Sequence, residues 1–475
     1  MKKLFVFLAL LLALGMTCVL AEDAAHGFDY GFLDDGSIIL WDYKGSAQHL
    51  VLPETLDGYQ VTGIYDYLFH GNETLQSVTI PNQITYVEGN PFAYVTSLTD
   101  IIVAPDHPTL KMVDGVLFSK DGTRIINYPY TRPGSSYDVP QGTVIIGEGA
   151  FSDAPALTHV TLPDTVTTIE PYAFSWCYQL AEINIPEGVT SIGHYAFYGD
   201  AMSSIALPDS VVTLENNPFA GCLSLSEIQV SPEHPALAVI DGALYDRNEL
   251  RLICYPPALK QESLVVPNGI QIISEDALYN ASFSSITLPD TVTSIGNGAF
   301  MWCGQLKEVN IPQGVTKIEG YAFFGCESLP SITIPDSVTS IGYYAFAHCN
   351  ALTEVVIPDS VTTISYNVFS GCESLTSIVV PASVTEIREE AFYECPKLTL
   401  TVAPNSYAAQ YAKDNNIPYI YADNAWDCSC GATNTTNFCP DCGTARPVIE
   451  PTCANCGYDP EGETPNYCPD CGTKF

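Results

Sequence analysis

Eight cysteines crowd the C-terminal end of the chain in four tight pairs. Cys428-Ser429-Cys430 goes with Cys439-x2-Cys442, and Cys453-x2-Cys456 goes with Cys468-x2-Cys471. Four thiolates delivered by two tight turns close a tetrahedral shell around Zn2+. Gly431, Gly443, Gly457 and Gly472 each follow the second cysteine of a turn, where a residue free to take positive φ lets backbone amides point at the sulfurs. The spacing predicts two structural Zn2+ sites, because no coordination position is left for water. The Cys428-Ser429-Cys430 turn is one residue shorter than usual, and in an oxidising compartment the same eight thiols can pair as disulfides instead. So small a segment buries little core, and metal would supply most of its folding free energy.

A second set of cysteines has another logic. Cys303, Cys326, Cys349, Cys372 and Cys395 stand 23 residues apart, and Phe300, Phe323, Phe346, Phe369 and Phe392 keep the same step. So do Leu306, Leu329, Leu352, Leu375 and Leu398. A fixed period of this size means stacked coils. Cys177 and Cys222 fall in the same column, three residues before the inward leucine, and the set reads as small buried thiols. In-register neighbours about 4.8 Å apart do not suit a disulfide, whose Cβ atoms prefer about 3.8 Å. Asp200 occupies one position of the column, so the column is not a cofactor ladder.

The element that positions these columns is visible in Leu375 to Cys395, LTSIVVPASVTEIREEAFYEC. Leu375, Ile378 and Val380 point inward from an extended segment, and Pro381 ends it by removing a ladder donor. Val384 and Ile387 form a second short extended segment, and Ala391-Phe392 starts a compact turn. Following the proline gives twelve coils, at Pro53, Pro81, Pro140, Pro163, Pro186, Pro208, Pro267, Pro289, Pro312, Pro335, Pro358 and Pro381. Two gaps, Pro81 to Pro140 and Pro208 to Pro267, hold matching insertions: His107-Pro108 recurs as His234-Pro235 and Asp114-Gly115 as Asp241-Gly242. Asp-Gly flanked by alternating apolar residues predicts a hairpin in each, and the paired histidines read as turn residues copied by duplication. Phe28 to Tyr43 around Asp35-Gly36 predicts an N-terminal capping hairpin, and Ser406 to Asn415 a C-terminal capping helix.

No H-E-x-x-H, G-x-S-x-G or phosphate-cradling glycine loop is present. Most acidic residues fall in P-D-S/T-V turns such as those of Asp336 and Asp359, where they cap turns. Strand positions facing away from the core offer the better surface. Their candidate ligand contacts are His159, Thr161, Glu182, Asn184, Glu308, Asn310, Ser331, Thr333 and Glu354. Trp176 and Trp302, each before a column cysteine, read as half-buried flank residues or exposed aromatic anchors.

The formal charge of −37, with 17 Lys and Arg in 475 residues, argues against a nucleic-acid partner or an anionic membrane surface. Lys2 and Lys3, the uncharged run Leu4 to Ala21 and the small-residue site Val19-Leu20-Ala21 predict a cleaved signal peptide. No later segment is apolar enough to span a membrane.

The I-P-x-x-V-x-x-I-x-x-x-A-F-x-x-C core, the segments Asp114–Phe118 and Asp241–Tyr245 and the cap Asn405–Lys413 resemble the BspA-like leucine-rich repeats of bacterial surface proteins. The cysteine tail resembles a double zinc ribbon. These likenesses imply a β-rich solenoid with a parallel sheet, capped at both ends and followed by two small zinc ribbons. The boundaries are a signal peptide at 1–21, a capping hairpin at 22–50, the solenoid at 51–404, a cap at 405–422 and ribbons at 423–446 and 447–475. Members of that family are generally exported, and those with an assigned role tend to be adhesins or ligand-binding proteins; they share no catalytic residues. The reading is a secreted or cell-surface, non-enzymatic protein. It binds a protein ligand, on a host or a neighbouring cell, through its strand face. Carbohydrate binding is the alternative, and an unrecognised hydrolase a further one.

Overall fold

A computed structural model of the chain describes residues 27–422 and two short paired strands beyond them, Trp426–Asp427 and Thr433–Asn434. The segment 1–21, expected to be a signal peptide, and all eight tail cysteines lie outside the described residues.

Most coils make two short strands; in the coil of Pro335 the front strand is reduced to a single bridge, Ser331 to Glu354. In the coil of Cys177 the front strand is His159–Thr161 and the back strand Thr168–Ile169. The front strand alternates as its sequence demands, with Val160 buried between outward His159 and Thr161 and Leu162 buried after them. Pro163 ends it. Neighbouring coils pair in parallel register on both sides: Ser136, His159 and Glu182 run along the front, and Ile145, Thr168, Ser191 and Thr213 along the back. Between the sheets the phenyl rings stack along the axis, Phe174 on Phe197 at 5.5 Å and Phe300 on Phe323 at 4.8 Å between centroids. The core is therefore continuous from coil to coil within three stretches, divided at the two insertions, and each coil depends on its neighbours.

The solenoid runs to about 17 turns, where the proline column gives twelve. The difference has a local cause. Asp100–Val103 pairs in parallel with Ser77–Ile80, and Glu227–Val230 with Ser204–Leu207, so each insertion holds a further rung. Thr399–Val402 and Tyr419–Tyr421 continue the front sheet at the C-terminal end. In Val103-Ala104-Pro105, Val230-Ser231-Pro232 and Val402-Ala403-Pro404 the proline comes one residue late, which hides these rungs from a fixed spacing.

The rest of each insertion is a hairpin added to the back sheet. Leu110–Val113 pairs antiparallel with Val116–Ser119, and Leu237–Ile240 with Ala243–Asp246. Asp114 and Gly115 have φ of 48° and 78°, the two positive values that a tight I′ turn requires. His107 and His234 are buried turn braces. The Nδ1 of His107 accepts the N–H groups of Thr109 and Leu110 at 3.3 and 3.1 Å, and its Nε2 lies 3.2 Å from the Pro81 carbonyl. His234 repeats this with Ala236, Leu237 and Pro208. A backbone N–H can only donate and a carbonyl can only accept, so both rings carry their proton on Nε2.

At the ends, Phe28–Phe32 pairs antiparallel with Ile38–Tyr43, which then leads into the back sheet through Tyr59–Ile64. The helix Tyr407–Asp414 buries Ala408 and Ala412 against the last coils, and its N-cap Ser406 accepts the Ala409 N–H at 3.2 Å.

Candidate ligand-binding face

The front sheet presents two outward columns. One runs through Ser136, His159 and Glu182 and, further on, Ser285, Glu308, Ser331, Glu354 and Ser377. The other holds Thr161, Asn184, Thr287, Asn310, Thr333 and Val356. Neither column contains a Lys or Arg from Ser77 to Thr401.

The nine candidate contacts form two groups rather than one row. His159, Thr161, Glu182 and Asn184 sit on adjacent coils, and Glu308, Asn310, Ser331, Thr333 and Glu354 on three further coils. Between them lie the rungs Ser204–Leu207, Glu227–Val230, Ser263–Val265 and Ser285–Thr287. His159 is half-buried and the other eight are exposed. His159 ties the first group together, its Nδ1 3.1 Å from Glu182 Oε2 and its Nε2 3.2 Å from Thr161 Oγ1.

The two asparagines have partners within the fold. Asn184 Oδ1 accepts the Leu162 N–H at 2.7 Å, and its Nδ2 donates to the Leu162 carbonyl at 2.9 Å. Asn310 makes the same pair with Leu288, both at 2.8 Å. In the coils of Val139 and Ile357 that N–H goes instead to a main-chain carbonyl, of Thr161 and Val379. The side-chain amide thus replaces a main-chain bond, and the front strand is cut to Glu182–Ile183 and to Glu308–Val309. Neither shortened strand pairs with the coil that follows. The first interruption leaves a depression of about 480 Å3 lined by Ile185, Glu187, Ala206, Asp209 and Gln229. Sequence reasoning missed this feature; the N-I-P tripeptide shared by the two coils was the available signal.

Also missed was an apolar member of the second column, Val265, 60% exposed; Val356, an outward position of the same column, is 61% exposed. The two tryptophans stand on the turn flank rather than on this face. Trp176 is half-buried, and Trp302 is 39% exposed. Both have positive φ, 64° and 62°.

Two perturbed acids lie at interruptions of the back sheet. Burial pushes the Asp66 carboxyl up to about 8, with nearby Glu148 adding to it. Burial raises Asp276 to about 7, against the Tyr195 hydroxyl that donates to it. A depression of about 570 Å3 is lined by Glu275, the chain neighbour of Asp276, together with His194, Glu215, Asn216, Glu249 and Arg251. Its groups hold the interruption together: Arg251 Nη2 donates to the Leu214 carbonyl at 2.5 Å and Asn216 Nδ2 to Glu275 at 2.9 Å.

Among the described residues no group of three or more His, Cys, Asp or Glu is arranged to hold a metal, and no helix is long and apolar enough to cross a membrane.

The model of the BspA type leucine rich repeat region matches in six copies, over residues 45–131, 144–262 and 271–399, which is more than half of the sequence. The chain belongs to this family. Among solved structures it is similar to a leucine rich cell surface protein of Faecalibacterium prausnitzii, at 26% identity and a TM-score of 0.48, covering 83% of this chain and 97% of that one. It is similar to a leucine-rich repeat protein of Eubacterium ventriosum at 25% identity and a TM-score of 0.46, covering 62% and 82%. The pneumococcal vaccine antigen PcpA shares the fold at 19% identity and a TM-score of 0.52, covering 85% and 99%. No functionally curated protein matches.

Proposed function

We propose that this BspA-type repeat protein is exported and acts without catalysis, holding a protein ligand on its front sheet at the cell surface or after secretion. The observation that carries the reading is the front face itself. Its side chains are exposed and short and include Glu182, Glu227, Glu308 and Glu354, and both columns lack cations over their length. Such a face favours a partner with basic groups at its contact, because opposite charge speeds encounter and like charge excludes competitors. Little rearrangement accompanies binding, since each rung is held by at least one neighbouring coil. The kinship with a family rich in surface proteins supports the placement outside the cell. In the tail, eight thiols in four pairs make a donor set suited to two Zn2+ ions, which would hold residues 423–446 and 447–475 as structural ribbons.

The experiment uses the secreted chain as bait for surface extracts and then for the purified ligand. Glu308, Asn310, Ser331 and Thr333 replaced together by Lys should abolish capture with circular dichroism unchanged, and deletion of residues 423–475 should leave affinity within a few-fold. Loss of capture on the deletion, with normal binding by the four-Lys variant, would move recognition to the tail. A second reading, carbohydrate binding, is favoured by the exposed rings of Tyr178, Trp302 and Tyr343 on the turn flank. Glycan binding that disappears on Trp302→Ala would select it.

A further inference from the structure

The column cysteines form a ladder of thiol hydrogen bonds. Each Sγ–H donates to the carbonyl of the inward residue one coil back: Cys177 to Phe151 at 3.0 Å, Cys222 to Phe197 at 2.9 Å, Cys303 to Leu278 at 3.0 Å. Cys326, Cys349, Cys372 and Cys395 continue it, reaching Phe300, Phe323, Phe346 and Phe369. Donor and acceptor are 25 or 26 residues apart throughout. The carbonyl of Phe174 falls in this series, and the residue 26 positions after it is Asp200.

Asp200 is fully buried at 2% exposure. Its Oδ1 accepts the Cys177 N–H at 3.1 Å, while Oδ2 has no partner. A carboxylate in that slot would set two acceptor atoms near an acceptor carbonyl, with nothing to offset its charge. A carboxylic acid would instead supply the one donor the slot requires.

We infer that Asp200 is protonated in the folded protein and that its acid O–H takes the place of a column thiol, donating to the Phe174 carbonyl. The titratable groups around it are the thiols of Cys177 and Cys222, with Asp153 beyond the first and Cys254 beyond the second. All are acids, and none offers a positive charge. Burial raises the Asp200 carboxyl well above its usual range, opposed by the Cys177 N–H.

The consequence is a pH-sensitive rung in the middle of the array. The folded chain keeps a proton that the unfolded chain releases above about pH 3.9. Stability from this rung is therefore complete below that value and is lost as pH rises towards the folded value, the unfolding equilibrium shifting by about tenfold per pH unit. Asparagine has the same shape and donates from Nδ2 at every pH, so Asp200→Asn should remove the slope.

The test compares thermal unfolding of the full chain with that of Asp200→Asn and Asp200→Cys across the acid to neutral range. The gap in Tm between Asp200→Asn and the wild type should widen as pH rises, and Asp200→Cys should follow the asparagine variant. The infrared band of a protonated, buried carboxyl should appear at neutral pH in the wild-type minus Asp200→Cys difference spectrum, in which the contributions of Asp66 and Asp276 cancel. Parallel Tm curves for all three, or the lack of that band, would overturn the assignment. Should Asp200→Asn fail to fold, the cysteine variant and the infrared band still decide.

Discussion

Trp302 lies across the backbone of Gly325 in the next coil, so close that a Cβ on this glycine would fall 2.5 Å from the indole Cε3. Trp176 lies over Gly199 in the same way, and His348 over Gly371. The ring occupies the position just before the column cysteine, and the following coil answers with glycine at the equivalent place. Gly325 also has φ of 71°. Two separate penalties thus bar a larger residue, the left-handed backbone and the indole ring. Gly325→Ala should lose more than the roughly 1–2 kcal/mol of the backbone alone. Gly269→Ala is the control, because Gly269 also has positive φ but nothing within 4 Å of an added Cβ. Chemical denaturation should rank Gly325→Ala below Gly269→Ala, and Trp302→Ala in the Gly325→Ala background should recover part of the difference. Equal losses for the two glycines would mean the ring yields without cost.

The thiol ladder is protected by burial. Burial pushes the Cys303 and Cys349 thiols up to about 12, and Cys395, partly exposed at the end of the column, only to about 11. Thiolate is the reactive form, so a maleimide applied to the native protein at neutral pH should spare the column and modify all of it in denaturant. Cys395 should be the first column residue to react as stability is lowered, which peptide mass spectrometry would show. Early labelling of Cys326 or Cys349 would mean that the middle coils open before the end.

His107 gives the fold an acid limit. Its Nδ1 receives two N–H groups, so a proton there would face two donors. Burial lowers its pKa and nearby Lys120 adds to this, against the Pro81 carbonyl and Asp106. The folded form therefore resists a proton that the unfolded chain accepts below about pH 6.5. Stability is full above that value and falls as pH drops through it, by at most about 1.4 kcal/mol per pH unit for one group. Wild-type Tm should decline more steeply between about pH 6.5 and 5 than that of His107→Asn, whose side-chain oxygen can accept but does not titrate. Identical slopes would show that the turn adapts to the charged ring.

The repeat was legible because Phe, Cys, Leu and Pro each keep a column, and side chains that meet between coils must recur at the coil length. The hairpins were legible from Asp114-Gly115 and Asp241-Gly242, since turn chemistry is local. What escaped depends on register between coils. The rungs before Pro105, Pro232 and Pro404 are hidden by a single-residue slip. The Asn184 clip on Leu162 becomes visible only when the two coils are laid side by side. Bulky residues in the left-handed region, such as Tyr172 at φ 56° and Tyr344 at φ 55°, are against local preference. Their backbones are fixed from outside, by the Tyr172 N–H donating to His194 and the Tyr344 N–H to Tyr366 in the next coil, each at 3.0 Å. The candidate face was legible as alternation along the front strands, but its division into two groups was not.

The tail offers a test that does not depend on the solenoid. Cys428, Cys430, Cys439 and Cys442 supply one set of four thiols, and Cys453, Cys456, Cys468 and Cys471 a second. Zinc requires them deprotonated, so loading should release protons and weaken as pH falls, whereas disulfides would be insensitive to both. Elemental analysis of the intact protein purified without chelator should give about two Zn2+ per chain. Cys439→Ser should lower the metal content by about one and leave the second site filled. The same substitution should not alter unfolding of the coils, whose core is made by other residues. Metal-free protein in which these eight cysteines resist alkylation until a reductant is added would replace the zinc assignment with disulfides.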